Sequence, residues 1–260
     1  MNRTNFIKKS LTTFALGALL ATTAHADFAR VELGGGMWTQ APSGILSYTE
    51  SGATGEYNSE KKSNTGAYAW LLVKHPLPIV PNLRVEYASM KDVGKASGNF
   101  HGFTAPADSD ASLEITEFDV IPYYNILDNT FWITVDLGVD FKVTNITYKA
   151  SGVNVPLVGA STDYEDSTSI VIPLGYVRAR VEIPATDIGL EADVKYISYD
   201  DSTVSDMRVK VDYTLGFIPV IQPAIEIGYR VHKIDVKTDD KKTNMNVDFA
   251  GVYAGLMLRF

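Results

Sequence analysis

The chain has 260 residues, no cysteine and a formal net charge of −8, and 45% of its residues are hydrophobic. The lack of cysteine excludes disulfide bridges and thiolate metal sites. The acidic excess argues against nucleic acid as a partner, because that affinity depends on lysine and arginine neutralising phosphates. A chain of this length fits one large domain, and β architectures of this size are often a single unit.

The first 26 residues have the composition of a secretory signal peptide. Arg3, Lys8 and Lys9 precede an apolar run over residues 11–21, and a small-x-small site follows at 24–26. The run is too short to span a membrane as a helix. We predict cleavage after Ala26 and a mature domain of residues 27–260. Removing the three basic residues leaves 20 basic and 31 acidic residues, a net charge of −11.

From Asp27 onward, hydrophobic residues recur with period two, which is typical of strands and not of helices. Residues 131–143, for example, are apolar on one parity and mostly polar on the other. Pro173 predicts a bulge, or a later strand start, where it falls. Each predicted strand has the roughly nine residues that a tilted strand needs to cross a bilayer. We predict ten strands, near residues 28–38, 66–75, 82–90, 113–124, 131–143, 168–182, 188–199, 207–217, 223–234 and 247–260.

The connections between these strands alternate in kind. The short ones are mostly rich in proline and lie at 75–82, 125–129, 183–187 and 218–223. The long ones are polar, apart from a short connection near 200–206, and lie at 39–65, 91–112, 144–167 and 235–246. Such alternation is typical of transmembrane β-barrels, whose turns face the periplasm and whose loops face outside.

We therefore predict an all-β fold: a transmembrane antiparallel up-and-down β-barrel of about ten strands (between eight and twelve), with both termini in the periplasm. A soluble β-sandwich or a lipocalin-like barrel is the alternative, because period two does not say which face is buried. Strands of eleven or more residues exceed the usual roughly 5–6 of globular sheets. Aromatic residues near the strand ends also favour the membrane barrel.

The last six residues, GLMLRF, resemble the C-terminal recognition signal of bacterial outer-membrane proteins. Gly255, Leu258 and Phe260 occupy the positions of that signal, and Ala254 stands where a polar residue is usual. The resemblance implies that the barrel-assembly machinery is a partner during biogenesis. It also implies export to the outer membrane of a Gram-negative bacterium.

The segment KHPLPIVPNLRVEY at 74–87 is similar to a proline-rich turn in an uncharacterised family of small Gram-negative outer-membrane β-barrel proteins. In that family the turn links the second and third strands, and we predict a periplasmic turn here. Prolines cannot donate to a strand ladder, which also predicts a turn. The resemblance implies contact with outer-membrane lipid and lipopolysaccharide, and it supplies no cofactor and no catalytic residue. The motif comprises His75, Pro76, Pro78, Pro81, Asn82 and Arg84.

The polar parity of the strands predicts the composition of the barrel interior. Ten basic and eleven acidic residues fall on it, a balance that suits a filled lumen better than a charge-selective pore. We predict an integral outer-membrane protein of structural or interaction type, with a narrow passive channel for small solutes as the alternative. The inward residues are Arg30, Glu32, Arg84, Glu86, Glu117, Asp119, Asp136, Asp140, Lys142, Arg178, Arg180, Glu182, Glu191, Asp193, Lys195, Arg208, Lys210, Asp212, Glu226, Arg230 and Arg259.

Catalysis is a weaker hypothesis, and we predict no enzyme activity. A barrel-embedded hydrolase needs a histidine beside a carboxylate or serine near the rim. His232, with Glu226 on its parity and Asp235 nearby, is the candidate, and an ion-paired histidine explains the pattern equally well. His101 lies in a Gly-rich segment without a second imidazole. Acidic segments at 108–110, 163–166, 200–202 and 239–240 match no calcium loop, and exposed acidic runs are usually solvated.

Overall fold

The computed structural model describes residues 29–77, 79–216, 221–238, 240 and 242–260, so the predicted signal peptide lies outside the described residues. No helix in the described part of the chain is long and apolar enough to cross a membrane. Its regular structure consists of eleven strands: β1 (Arg30–Glu50), β2 (Ala53–Ser59), β3 (Asn64–Lys74), β4 (Asn82–Phe100), β5 (Phe103–Thr130), β6 (Ile133–Val155), β7 (Gly159–Glu182), β8 (Ile188–Tyr199), β9 (Ser202–Thr214), β10 (Gln222–Lys237) and β11 (Thr243–Arg259).

The strands form one closed antiparallel ring. Apart from β2 and β3, neighbours in the chain pair with each other, and β11 pairs with β1 to close the ring. Between β1 and β4 a single position is shared by β2 and β3, each of which pairs with both flanking strands. The described strands thus occupy ten positions, which confirms the predicted up-and-down barrel of about ten strands.

The pairing register gives the tilt of the strands. Following paired residues once around the ring from Val31 leads back to β1 at Ser43, twelve residues further along. A stagger of this size over ten positions corresponds to a strand tilt of about 40°. We call the end at which Arg30 and Phe260 lie the turn end and the opposite end the hairpin end.

An apolar belt surrounds the ring on its outer face. On β6 it runs from Ile133 to Val143, which spans roughly 25 Å at the tilt above and matches the apolar band of a transmembrane barrel. Soluble sheet proteins bury the apolar face, whereas here the charged face is buried, which excludes the soluble alternative. Exposed belt residues include Leu33, Met37, Leu71, Tyr87, Phe118, Val139, Leu190, Val209, Ile227 and Leu256.

The long loops predicted at 39–65, 91–112, 144–167 and 235–246 are wrong, because most of these residues lie in strands. The strands continue beyond the belt and join through short turns near 51–52, 101–102 and 156–158. Above the belt the outer face meets water, so its residues become polar while the backbone keeps pairing. Polar composition was therefore misread as a lack of strand structure.

Pro173 produces neither the bulge nor the later strand start that we predicted. It pairs with Phe141 of β6 without a register shift, and β7 begins well before it, at Gly159. Its effect falls on the other neighbour, since the β7–β8 ladder stops at Gly175. Proline has no N–H to donate, so the pairing with β8 ends there.

Candidate functional site in the barrel interior

The ionisable residues predicted to face inward do so. Successive side chains of a strand alternate between its faces, so charged residues two apart share the inner face. All are buried except Arg30, Glu182 and Arg259, which are half-buried at the turn end. We call these residues, together with Asp206 and His232, the plug.

Two lysines form the centre of the plug. The Lys195 ammonium donates to Glu86 at 2.6 Å and also contacts Asp119. The Lys142 ammonium donates to Glu117 and Asp119, both at 2.9 Å. Neither lysine side chain is exposed to solvent. A buried ammonium is tolerable only with such partners, because removing it from water is otherwise very costly.

Arginines join the carboxylates nearer the turn end. Arg180 donates from its two terminal nitrogens to both oxygens of Asp212, at 2.7 and 3.0 Å. Arg178 bridges Asp136 at 2.6 Å and Glu191 at 2.7 Å. Such charge-assisted bonds from a planar guanidinium fix the direction of each partner as well as its distance. The strands β6 to β9 are thereby tied together through the lumen.

Aromatic rings occupy the space between the ion pairs. Two cations contact the Trp70 ring: the Lys210 ammonium is 4.5 Å from the ring centre and the Arg84 guanidinium is 5.0 Å from it. Its indole N–H donates to Glu226 at 3.1 Å. A Cβ at Gly34 would collide with this ring, so the glycine provides the room that the tryptophan needs. Cation–π contacts of this kind strengthen when water is excluded.

His232 lies at the top of the plug and is fully buried. Its Nε2 is 2.9 Å from a Glu117 oxygen, and its Nδ1 is 3.1 Å from the Ser205 carbonyl oxygen. Both partners are acceptors, so both ring nitrogens can donate only when the ring is doubly protonated. The carboxylate that it contacts is Glu117 of β5, not the Glu226 or Asp235 suggested by the sequence. The arrangement therefore adds a buried polar contact between β5 and β10 to the plug.

Glu117, Asp206 and His232 are also close enough together to ligate one metal ion. Their oxygens, however, already face cationic groups. Lys142 donates to Glu117 at 2.9 Å, and the Arg230 guanidinium donates to Asp206 at 2.6 Å. A divalent cation would meet these two positive charges at close range, so the arrangement fits ion pairing.

Asp206 is the plug residue that the sequence reading missed. The predicted strand began at residue 207, whereas β9 begins at Ser202, which places Asp206 on the inner face. It raises the count among the described plug residues to twelve carboxylates against ten lysines and arginines. Among these carboxylates, Asp140 has no hydrogen-bond partner for either oxygen among the described residues.

Above the plug the interior becomes apolar. Leu113, Ile115, Val204, Ile234 and Phe249 are all buried there. Near the hairpin end, aromatic rings stack between neighbouring hairpins. The centre of the Phe103 ring lies 4.7 Å from that of Phe100 and 4.4 Å from that of Tyr164. These contacts hold the extensions of β4 to β7 together, and the sequence reading missed them because it placed loops here.

The residues of the predicted turn motif connect the turn to the plug, apart from Pro78, which lies outside the described residues. His75 Nδ1 accepts from the Leu77 N–H, and Nε2 donates to the Pro81 carbonyl at 2.9 Å. The Asn82 side chain accepts from the His75 N–H at 3.0 Å and donates to Asn125 at 2.8 Å.

The rest of the motif continues inward. Asn125 donates to Asp136, and Arg84 donates to Glu86 and Glu191 inside the plug. Pro76 lies in the connection between β3 and β4. The functional meaning of the motif stays a prediction, but its histidine, asparagine and arginine each have a definite structural role.

The C-terminal segment closes the ring at the turn end. Phe260 donates its N–H to the Val31 carbonyl at 2.9 Å and accepts from the Val31 N–H at 3.3 Å. Its ring is partly exposed on the outer face, and Leu258 pairs with Leu33. A Cβ at Gly255 would collide with the Tyr68 hydroxyl, so glycine is required there. Whether these residues form an assembly signal stays a prediction.

The remaining candidates lie at the hairpin end. His101 is exposed, and its Nδ1 is 3.5 Å from the Tyr48 hydroxyl. The acidic segments contact lysines there: Asp110 with Lys95, and Asp240 with Lys242. Asp239 lies outside the described residues. The hydrogen bond from Lys95 lowers the pKa of the Asp110 carboxyl, which keeps that pair ionised.

No protein-family model and no curated protein matches this sequence. Among solved structures, the outer membrane protease OmpT of Escherichia coli is 11% identical with a TM-score of 0.46, over 92% of this chain and 99% of that one. The translocator domain of the autotransporter NalP of Neisseria meningitidis is 11% identical with a TM-score of 0.38, over 96% of each chain.

The transport unit of the autotransporter AIDA-I of Escherichia coli is 9% identical with a TM-score of 0.39, over 95% of this chain and 96% of that one. At such identities and scores these likenesses carry no functional argument.

Proposed function

We propose that the chain is an integral outer-membrane protein of structural or interaction type, whose interior is closed to solutes. The turn end faces the periplasm and the hairpin end faces outside. Its immediate partners are outer-membrane lipid and lipopolysaccharide, with the barrel-assembly machinery acting on it during biogenesis. The apolar belt supports the membrane location, because an exposed band of this height requires lipid around it.

The paired, buried plug carries the proposal of a closed interior. Most of its charged side chains contact an opposite charge inside the lumen, and pairs such as Lys195 with Glu86 join strands on different sides of the ring. A cavity beside Trp38, Tyr68 and Arg230 measures about 10 Å³, which is no more than one water molecule requires. A solute could pass only if several buried ion pairs separated together.

The hairpin end supports the interaction part of the proposal. The extensions of β4 to β7 are held by stacked aromatic rings, so they present a stiff, polar outer surface above the belt. Binding surfaces on rigid scaffolds avoid the entropy cost of ordering mobile loops.

Solute flux into proteoliposomes tests the closed interior. We expect no swelling response to small sugars from wild-type protein. A charge-neutral variant, K142A/E117A/K195A/D119A, removes two cations and two anions from the centre of the plug and should open a path. Rapid swelling with wild-type protein would instead establish the narrow channel. If neither protein conducts, the barrier lies outside the centre of the plug.

Hydrolysis gains no support from the plug. His232 is the only plug histidine, and it is enclosed by Glu117 and the Ser205 carbonyl with no exposed surface. A substrate at the rim could not reach it.

A further inference from the structure

The barrel wall is interrupted where β2 ends and β3 begins. β2 pairs with β4 at residues 94–98 and β3 pairs with it at 83–88, so the β4 segment between them lacks a strand on that side. The Gln40 side chain takes the place of the missing strand. Its amide donates to the Ser89 carbonyl at 2.7 Å and accepts from the Lys91 N–H at 3.3 Å. Gln40 is buried, so it seals the interruption from the inside.

On the outside the interruption leaves a notch of about 310 Å³. Its lining is mainly polar, with hydroxyl, amide and charged side chains. Lys91 and Glu114 form an ion pair at 2.7 Å across it. A cavity of this volume holds several waters or a comparable polar group. The polar residues that line it include Asn64, Thr65, Ser89, Lys91, Glu114 and Thr116.

The notch lies at the upper border of the apolar belt. Register places Ser89, Thr116, Asn145 and Ser169 in one outward row across four strands. Two residues lower on each strand, the outward row is Tyr87, Phe118, Val143 and Val171. The change from apolar to polar therefore occurs between these rows, where lipid head groups meet the acyl chains.

Below the notch, the outer face of β3 carries small side chains and forms a shallow groove. Ala67 and Ala69 face outward on β3, beside the larger Tyr87 of β4. A ligand with its polar group in the notch could therefore lay an apolar chain along the alanines. This combination suits an amphipathic molecule and not a free solute.

We propose that the notch binds the hydroxylated head group of an outer-leaflet lipid. Hydroxyl and amide side chains can both donate to and accept from the hydroxyls of a sugar or a glycerol, and Lys91 can meet an attached phosphate. The inference adds a defined site to the general lipid contact proposed above. A sugar head would come from lipopolysaccharide, and a glycerol head from phosphatidylglycerol.

The test measures the thermal unfolding midpoint of the folded barrel in zwitterionic detergent as lipid is added, since a ligand that binds only the folded state raises it. Lipopolysaccharide, phosphatidylglycerol and phosphatidylcholine are the three probes. We expect one of the first two to raise the midpoint, which identifies the source of the head group. Phosphatidylcholine, which lacks head-group hydroxyls, should not raise it.

Thr116→Trp fills the notch. It should raise the lipid concentration needed for the same increase in unfolding midpoint by about tenfold or more. Ser169→Trp is the matched control, because it adds the same ring in the same outward row two strands away and should leave the response unchanged. If Thr116→Trp does not fold, the exposed pair K91A/E114A is tested in its place. The proposal is overturned if no hydroxylated lipid raises the wild-type midpoint, or if the notch variant and Ser169→Trp respond equally. The swelling assay of the plug is independent of either outcome.

Discussion

Lys195 shows how strongly a single residue is tied to the interior. Its ammonium is fully buried and contacts Glu86 and Asp119. We expect Lys195→Ala to lower the free energy of unfolding by about 3–5 kcal/mol, because it leaves buried carboxylates without their cation. Urea titration of the folded barrel in detergent, followed by tryptophan fluorescence, measures the change.

Lys62→Ala is the control for that measurement. Lys62 also pairs with a carboxylate, Glu60, at 2.7 Å, but about two thirds of its side chain is exposed. Exposed pairs contribute little to stability, so this variant should unfold like wild type. Equal stability of the two variants would contradict the view that buried ion pairs hold the plug together.

Asp92 is a buried carboxyl above the belt, and we expect it to make the stability of the fold depend on pH. It is buried, accepts from the Ser59 hydroxyl at 2.8 Å, and has one oxygen without a partner among the described residues. Burial raises the pKa of this carboxyl above its ordinary value of 3.8. The folded state therefore binds the proton more tightly than the unfolded chain does.

It follows that ionised Asp92 destabilises the fold. The penalty is absent below pH 3.8, grows as the pH rises above that value, and is complete above the raised pKa of the folded state. Asp92→Asn should thus be more stable than wild type at pH 7 and equal to it at pH 3.5, by urea titration at the two pH values. A stability gain that is the same at both values would refute the titration argument.

At the residue scale the sequence predicted most of the interior, because period two assigns a face to every residue of a recognised strand. Lys142 and Arg178 were placed correctly by parity alone. Asp206 was missed because the predicted strand began at residue 207, five residues after the start of β9 at Ser202. The partner of His232 could not be predicted, since Glu117 lies 115 residues away and parity says nothing about height in the barrel.

At the scale of elements, the C-terminal strand contributes to the barrel in two separable ways, through its backbone and through its terminal aromatic ring. The Phe260 backbone closes the ring by two hydrogen bonds with Val31, and its ring lies on the outer face. Unpaired backbone groups in lipid cost several kcal/mol each, and aromatic rings anchor a barrel at the interface.

Deleting Phe260 should therefore reduce the amount of folded barrel in the outer membrane. Phe260→Ala keeps the backbone bonds and removes only the ring, and Phe260→Tyr retains an aromatic group as the control. Quantifying folded protein in membrane fractions distinguishes the roles. If Phe260→Ala assembles like wild type while the deletion fails, the ring is not the recognition element.

The hairpins are where the sequence reading failed at this scale. Residues such as Ser109, Asp110 and Ser112 have the composition of a loop, yet they lie in β5 and pair with a neighbour. The composition of a segment reflects the surroundings of its side chains. Above the belt these surroundings are water and polar neighbours, so strand residues there are polar as well. Only the pairing register, which the sequence does not display, distinguishes such a strand from a loop.

At the scale of the whole molecule, ring closure predicts heat-modifiable migration. A closed barrel resists detergent and should migrate differently on a gel before and after boiling. Gly36→Ala should abolish the fast-migrating form, because a Cβ there would collide with the Ala254 carbonyl at the β1–β11 seam. Gly216→Ala is the control, since no atom of the described residues outside its chain neighbours lies within 4 Å of its added Cβ. Fast migration of the unboiled Gly36→Ala variant would contradict the described pairing of β1 with β11.

The pairs of the plug also constrain the order of events during biogenesis. Glu86 of β4 contacts Lys195 of β8 and Arg208 of β9, which are 109 and 122 residues further along the chain. Hairpins that entered a bilayer one at a time would bring these carboxylates into lipid before the strands that hold their cations. If the barrel inserts as proposed, we therefore expect the chain to stay hydrated until its C-terminal third is present, and the lumen to be neutralised and to enter lipid in one cooperative step.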